Sequence, residues 1–76
     1  MYNLRIKNST TQVTVLNSKL KTILNIITRY KKIGDYNYTI YSELDVDSST
    51  ELKINDTNVL CNRDFHNEYL KTLKKK

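Results

Sequence analysis

The chain contains one glycine, no proline and no alanine, and this composition restricts how it can turn and pack. Turns that need a positive φ angle favour glycine, and asparagine and aspartate are the next most tolerant residues. We therefore expect Asn or Asp to make most of these turns. Two helices that pack closely need small side chains at their contact, whereas bulky Leu, Ile and Tyr suit a helix lying on a sheet. The composition therefore favours an α+β fold.

The first 34 residues predict a β-hairpin followed by a helix. Residues 2–7 alternate between apolar and polar side chains, and residues 12–15 resume the alternation after a polar turn. Asn17 or Ser18 is placed to cap a helix that runs to about Lys32, and Gly34 is placed to end it. One arc of this helix is apolar: Leu20, Ile23, Leu24, Ile27 and Tyr30, widened by Ile26 and Ile33. The opposite side carries Lys21, Asn25, Thr28, Arg29 and Lys32.

The remaining residues predict a second hairpin and a terminal helix. Residues 36–44 are rich in Tyr, Thr and Ile, which favour a strand, and residues 51–54 alternate as the returning strand. Residues 59–61 form a short apolar segment that is long enough to add a further strand. From Asn62 or Asp64 onward the apolar residues return to helical spacing.

These elements predict a single domain over residues 1–76, of the α+β class and in ββαββα order. One amphipathic helix packs across an antiparallel sheet, and a short helix closes the chain. The predicted core is Leu4, Ile6, Val13, Val15, Leu20, Ile23, Leu24, Ile27, Tyr38, Ile40, Leu52 and Ile54. No apolar run exceeds three residues and residues 1–5 lack an apolar stretch, so we expect neither a transmembrane helix nor a signal peptide, and a cytoplasmic location.

The formal net charge of +5 is unevenly distributed along the chain. Residues 1–34 carry seven cations and no acid, residues 35–64 carry seven acids and two cations, and residues 65–76 carry four lysines and one acid. This distribution predicts a basic face and an acidic face. We expect a non-catalytic module, monomeric or homodimeric, that binds a partner protein without a cofactor. The predicted contacts are Lys21, Arg29 and Lys32 on one side and Tyr41, Glu43, Asp45 and Asp47 on the other.

A second interpretation is direct binding of nucleic acid by the basic helix and the C-terminal lysines. The residues predicted for it are Lys19, Lys21, Arg29, Lys32, Lys74, Lys75 and Lys76. The same patterns also have purely structural interpretations. Lys, Asn, Ile and Tyr have A/T-rich codons and make up 32 of the 76 residues, so the lysines fit a solvated helix face in an A/T-rich genome. The acids fit a strand edge that resists aggregation, and Tyr41 fits packing against a cross-strand neighbour.

The sequence offers little for catalysis or metal binding. Cys61 and His66 are the nucleophile and base available, but on a helix this spacing points them about 140° apart, and glycine for an oxyanion hole is nearly absent. Asp45 and Asp47 match the first two ligand positions of a calcium loop, but Thr50 stands where that loop requires glycine. We therefore expect no enzymatic activity and no bound metal.

Two partial family resemblances accompany these patterns. The hairpin and helix over residues 2–33 resemble the start of a β-grasp fold. Residues 12–15, the cap, the helix and Gly34 are similar to the strand–helix half of ribbon-helix-helix repressors, which implies that Gln12 and Thr14 read the major groove of DNA. That family continues with a second helix after Gly34, where this sequence predicts a strand.

In size, codon usage and element order the chain also resembles the small accessory proteins of bacteriophages and mobile elements in A/T-rich bacteria. Many of those proteins bind and inhibit a host protein, including restriction and CRISPR nucleases. The resemblance implies that the partner is a host protein or a complex of host protein and nucleic acid.

Overall fold

The computed structural model describes residues 1–42, 48–54 and 56–74, with Lys74 described by its backbone alone. In chain order the elements of these ranges are β1 (Tyr2–Lys7), β2 (Gln12–Ser18), α1 (Leu20–Ile33), β3 (Asn37–Tyr41), β4 (Thr50–Ile54), β5 (Thr57–Cys61) and α2 (Arg63–Lys74). The α+β class is confirmed. Within the described ranges, neither helix is long and apolar enough to cross a membrane.

The five strands form one sheet in the order β2-β1-β3-β5-β4. β1 pairs antiparallel with β2 and with β3, β4 pairs antiparallel with β5, and β3 and β5 run parallel. The predicted ββαββα order is therefore wrong by one strand, and the predicted hairpin between residues 36–44 and 51–54 is also wrong. β5 separates β3 from β4 because its apolar residues Val59 and Cys61 are buried beside Tyr38 and Ile40, their partners in the register.

One face of the sheet carries the hydrophobic core. Leu4 and Ile6 of β1 pair with Ile40 and Tyr38 of β3, and all four side chains are buried. β4, β5 and both helices complete the core with Leu20, Ile23, Ile27, Ile54, Val59, Cys61 and Phe65. Of the predicted core, Val13, Val15, Leu24 and Leu52 pack at its margin, and the other residues are buried. Ile33 does not widen the core, since it is the last residue of α1 and is 71% exposed.

α1 ends where the sequence predicts but does not begin with the predicted cap. Gly34 follows its last residue and donates its backbone N–H to the carbonyl of Tyr30 at 3.1 Å. Ser18 is still part of β2, where it pairs with Tyr2. Lys19 is therefore the N-cap residue, and its side chain makes no capping hydrogen bond.

Asn17 makes a β-bulge instead of capping α1. The register shifts between the pairs Tyr2–Ser18 and Leu4–Val15, so β2 has one residue more than β1 there. Asn17 has a φ of 51° and donates its backbone N–H to Oδ1 of Asn3 at 3.0 Å. The other non-glycine residue with positive φ among those described is Asp56 (φ 64°), in the turn between β4 and β5. Asn and Asp therefore occupy these two positive-φ positions, one in a bulge and one in a turn, in line with the composition.

Candidate functional site

The exposed side of α1 is basic. Lys21, Arg29 and Lys32 lie within about 80° of one another around the helix axis, and all three are exposed. They lie opposite Ile23 and Ile27, which are buried in the core. We call Lys21, Arg29 and Lys32 the basic helix face, and it extends about 17 Å along the axis.

A cleft of about 640 Å³ opens between the start of α1 and the end of α2. Its lining is Met1, Tyr2, Lys19, Leu20, Lys21, Leu24, Glu68 and Thr72. The Tyr2 hydroxyl donates a hydrogen bond to the carboxylate of Glu68, so this acid is already engaged. Burial, reinforced by Glu68, raises the pKa of Tyr2 and keeps its hydroxyl protonated. Because Thr72 lines the cleft with Lys19 and Lys21, the last turns of α2 lie near the start of α1.

The face of the sheet that is turned away from the helices is open. One row across it takes a residue from each strand: Thr14, Arg5, Thr39, Leu60 and Glu51. Thr39 is half-buried and the other four are exposed. We call the surface around this row the open sheet face.

Tyr41 lies on the open sheet face and contacts a cation. The guanidinium carbon of Arg5 is 5.4 Å from the centre of the Tyr41 ring, within the range of a cation–π interaction. The two residues line a hollow of about 240 Å³ with Thr39 and Ser48. Sequence reasoning missed Arg5. Alternation places residues 5 and 41 each on an outward face, but it does not reveal that β1 pairs with β3.

The predicted contact residues do not form one continuous surface. The basic helix face lies on the helical side of the sheet and Tyr41 lies on the opposite side. The predicted acidic contacts Glu43, Asp45 and Asp47 lie outside the described residues. The same is true of Lys75 and Lys76, while Lys74 is the last residue of α2. The described part of the site is therefore the basic helix face and the cleft beside it.

Cys61 and His66 lie on different elements and differ in burial. Cys61 is fully buried on β5, and this desolvation raises the pKa of its thiol to about 11. Such a thiol stays protonated at neutral pH and is a poor nucleophile. His66 is half-buried near the start of α2. Among the described residues, no three His, Cys, Asp or Glu side chains are grouped as metal ligands. The calcium-loop positions Asp45 and Asp47 lie outside those residues.

Comparison with known proteins provides no relative from which the role of these residues can be inferred. No family model matches the sequence, no curated protein is significantly similar to it, and no solved structure matches the fold at a significant level.

Proposed function

We propose that this chain is a non-catalytic binding module that docks on an acidic surface of a partner protein through the basic helix face. The observation that carries the proposal is the charge of α1. Its exposed cations include Lys21, Arg29 and Lys32, and no acid occurs anywhere in the helix. Such a face is complementary to an acidic surface, and charge complementarity speeds association and selects the orientation of the partner.

The start of α1 supports the same proposal. Lys19 and Lys21 lie where the helix dipole favours anions, and no acid lies in this first turn. Each lysine there costs about 0.3–1 kcal/mol in an isolated helix. A carboxylate of a partner, placed beside this end, offsets that cost and satisfies backbone N–H groups that no side chain of α1 caps.

The resemblance to bacteriophage accessory proteins favours a host protein as the partner, with a defence nuclease as one candidate and inhibition inside the host cell as the role. A non-catalytic role is consistent with the buried, protonated thiol of Cys61.

The experiment is affinity capture from host lysate that has been treated with nuclease. We expect a protein to be retained, and we expect its affinity to fall at least about tenfold when Lys21, Arg29 and Lys32 are replaced together by Glu. Retention at undiminished affinity by this variant would contradict the proposal, because the basic helix face would then not be the contact.

A matched variant tests whether the loss of affinity depends on where the charges are reversed or only on the change in net charge. Lys7→Glu, Lys53→Glu and Arg63→Glu change the net charge equally, and all three positions are exposed and outside α1. We expect this control to keep its affinity for the captured protein. An equal loss in both triple variants would show that net charge, and not the basic helix face, drives association.

The cleft gives a specific reason to test nucleic acid as the second candidate ligand. Thr72, two residues before the end of α2, lines it together with Lys19 and Lys21. A binder that neutralises several phosphates gives a complex at about 50 mM salt and loses affinity steeply as salt rises. We expect no shift of duplex or single-stranded DNA or RNA in a gel at this salt concentration, and a clear shift would favour the second candidate.

A further inference from the structure

The two edges of the sheet differ in charge. β4, one edge strand, presents Glu51 and Lys53, and both are exposed. Charged side chains on an edge discourage pairing with another chain. β2, the other edge strand, has no charged residue, and its Leu16 is 63% exposed. An uncharged edge with free backbone groups is a template for one more strand.

We infer that a second copy of this chain pairs with β2, antiparallel and centred on Thr14, and forms a closed dimer. The bulge at Asn17 ends the regular strand, so the paired segment is residues 12–16. Two-fold symmetry about Thr14 then places Val13 of each copy opposite Val15 of the other.

In this register, each residue at the centre of the paired segment lies opposite a residue of its own type. Thr14 of one copy lies opposite Thr14 of the other, and Val13 lies opposite Val15 twice. Pairs of Thr and of β-branched residues stabilise antiparallel strands. Val13 and Val15 are half-buried at the margin of the core. The added strand covers apolar surface that a single copy leaves exposed there.

The distribution of charge favours the β2 edge as the surface through which two copies associate. Two copies with a net charge of +5 repel each other, and β2 contributes nothing to that repulsion. The nearest cation in the row, Arg5, pairs with Thr14. Arg5 of one copy is then three strand spacings, about 14 Å, from Arg5 of the other. That distance exceeds the Debye length of about 8 Å at physiological ionic strength.

Assembly stops at two copies. Pairing β2 with β2 uses the uncharged edge of both chains and leaves the charged β4 edges outermost. The two-fold axis is perpendicular to the sheet, so both α1 helices lie on the same side. This inference does not rest on the proposed function, because the basic helix face plays no part in the contact.

The first measurement is the molar mass of the whole chain by sedimentation equilibrium, over loading concentrations from about 1 µM to about 1 mM. We expect the mass to rise with concentration from the monomer value of 9.0 kDa to twice that value and no further. A constant monomer mass, or a mass that continues to rise beyond the dimer, would overturn the inference.

The second measurement identifies the surface. Thr14→Lys and Thr14→Glu each place two like charges opposite one another at the symmetry axis, so each variant alone should dimerise at least about tenfold more weakly. An equal mixture of the two should restore the dimer, since Lys then faces Glu. Dimerisation of either single variant at wild-type strength, or no recovery in the mixture, would show that β2 does not pair in this register.

Matched controls lie on the same face of the sheet. Asn58 is exposed on β5, an interior strand. Asn58→Lys and Asn58→Glu therefore make similar charge changes away from either edge. We expect both to dimerise like the wild type. Circular dichroism spectra that match the wild type confirm that all four variants are folded.

Discussion

Oδ1 of Asn62 accepts the backbone N–H of Phe65 at 3.0 Å, so Asn62 caps the start of α2. Its Nδ2 donates to Oγ of Ser42 at 3.0 Å, and its backbone N–H donates to the carbonyl of Ile40 at 3.0 Å. Asn62 and Phe65 are both fully buried. One polar residue therefore joins the end of β3 to the helix whose aromatic side chain completes the core.

We expect Asn62→Ala to lower the free energy of unfolding by about 2–4 kcal/mol. The capping bond itself contributes about 1 kcal/mol, and desolvation of the N–H of Phe65, a buried residue that loses this acceptor, adds about 1–3 kcal/mol. Urea denaturation measures the change. Ser42→Ala removes one of the partners and leaves the cap intact, so its loss should be smaller. Equal losses in the two variants would show that the cap contributes little.

The bulge in β2 makes a second prediction, at Asn17. With φ at 51°, Asn17→Ala should lower the free energy of unfolding by about 1–2 kcal/mol, whereas Asn17→Gly should change it far less. Asn25, exposed on α1, is the matched control. There the order should reverse, with Gly less stable than Ala by about 1 kcal/mol. If urea denaturation shows the Ala variant to be more stable than the Gly variant at both positions, the left-handed conformation of Asn17 is contradicted.

Local patterns explain how much of this fold is predictable from sequence. β1, β2 and α1 each follow from a period that neighbouring residues set, and α1 ends at the residue before Gly34, as the sequence predicts. The pairing of β3 with β5 is different. It joins Tyr38 to Val59 across 20 residues of intervening chain, and alternation within a strand carries no information about which strand lies beside it.

The candidate site divides in the same way. Lys21, Arg29 and Lys32 share a surface because helical spacing puts them there, so the sequence predicts that surface. Arg5 meets Tyr41 only because β1 and β3 are neighbours in the sheet. The prediction that Asn17 or Ser18 caps α1 is wrong for a related reason. The long-range pairing of Ser18 with Tyr2 extends β2 through the predicted cap residues.

The contact between Arg5 and Tyr41 predicts a measurable coupling. A double-mutant cycle with Arg5→Ala and Tyr41→Ala, followed by urea denaturation, should give an interaction free energy of about 0.5–1 kcal/mol. The pair lies on the open sheet face, so the coupling should stay at the low end of cation–π values. Lys7→Ala combined with Tyr41→Ala is the control and should be additive. A cycle for Arg5 and Tyr41 that is also additive would show that the contact contributes nothing to stability.

The buried thiol of Cys61 predicts how stability responds to alkaline pH. Desolvation raises its pKa from 9.0 to about 11 in the folded chain. Below pH 9 the thiol is protonated in both states and its contribution is complete. Above pH 9 only the unfolded state loses the proton, so the free energy of unfolding falls as pH rises, by at most about 1.4 kcal/mol between pH 9 and pH 10.

Cys61→Ala removes the contribution of the thiol to the pH dependence of stability. Urea denaturation of both proteins from pH 8 to pH 10 measures that contribution. The cavity that alanine leaves lowers stability by the same amount at every pH, so the slopes of the two proteins can be compared directly. Burial also raises the pKa of Tyr2 and Tyr38 above 10, and those hydroxyls add a decline in both proteins above that pH. The wild type should therefore lose stability faster than Cys61→Ala between pH 9 and pH 10. Parallel slopes there would mean that the thiol titrates alike in the folded and unfolded states and is not shielded from water.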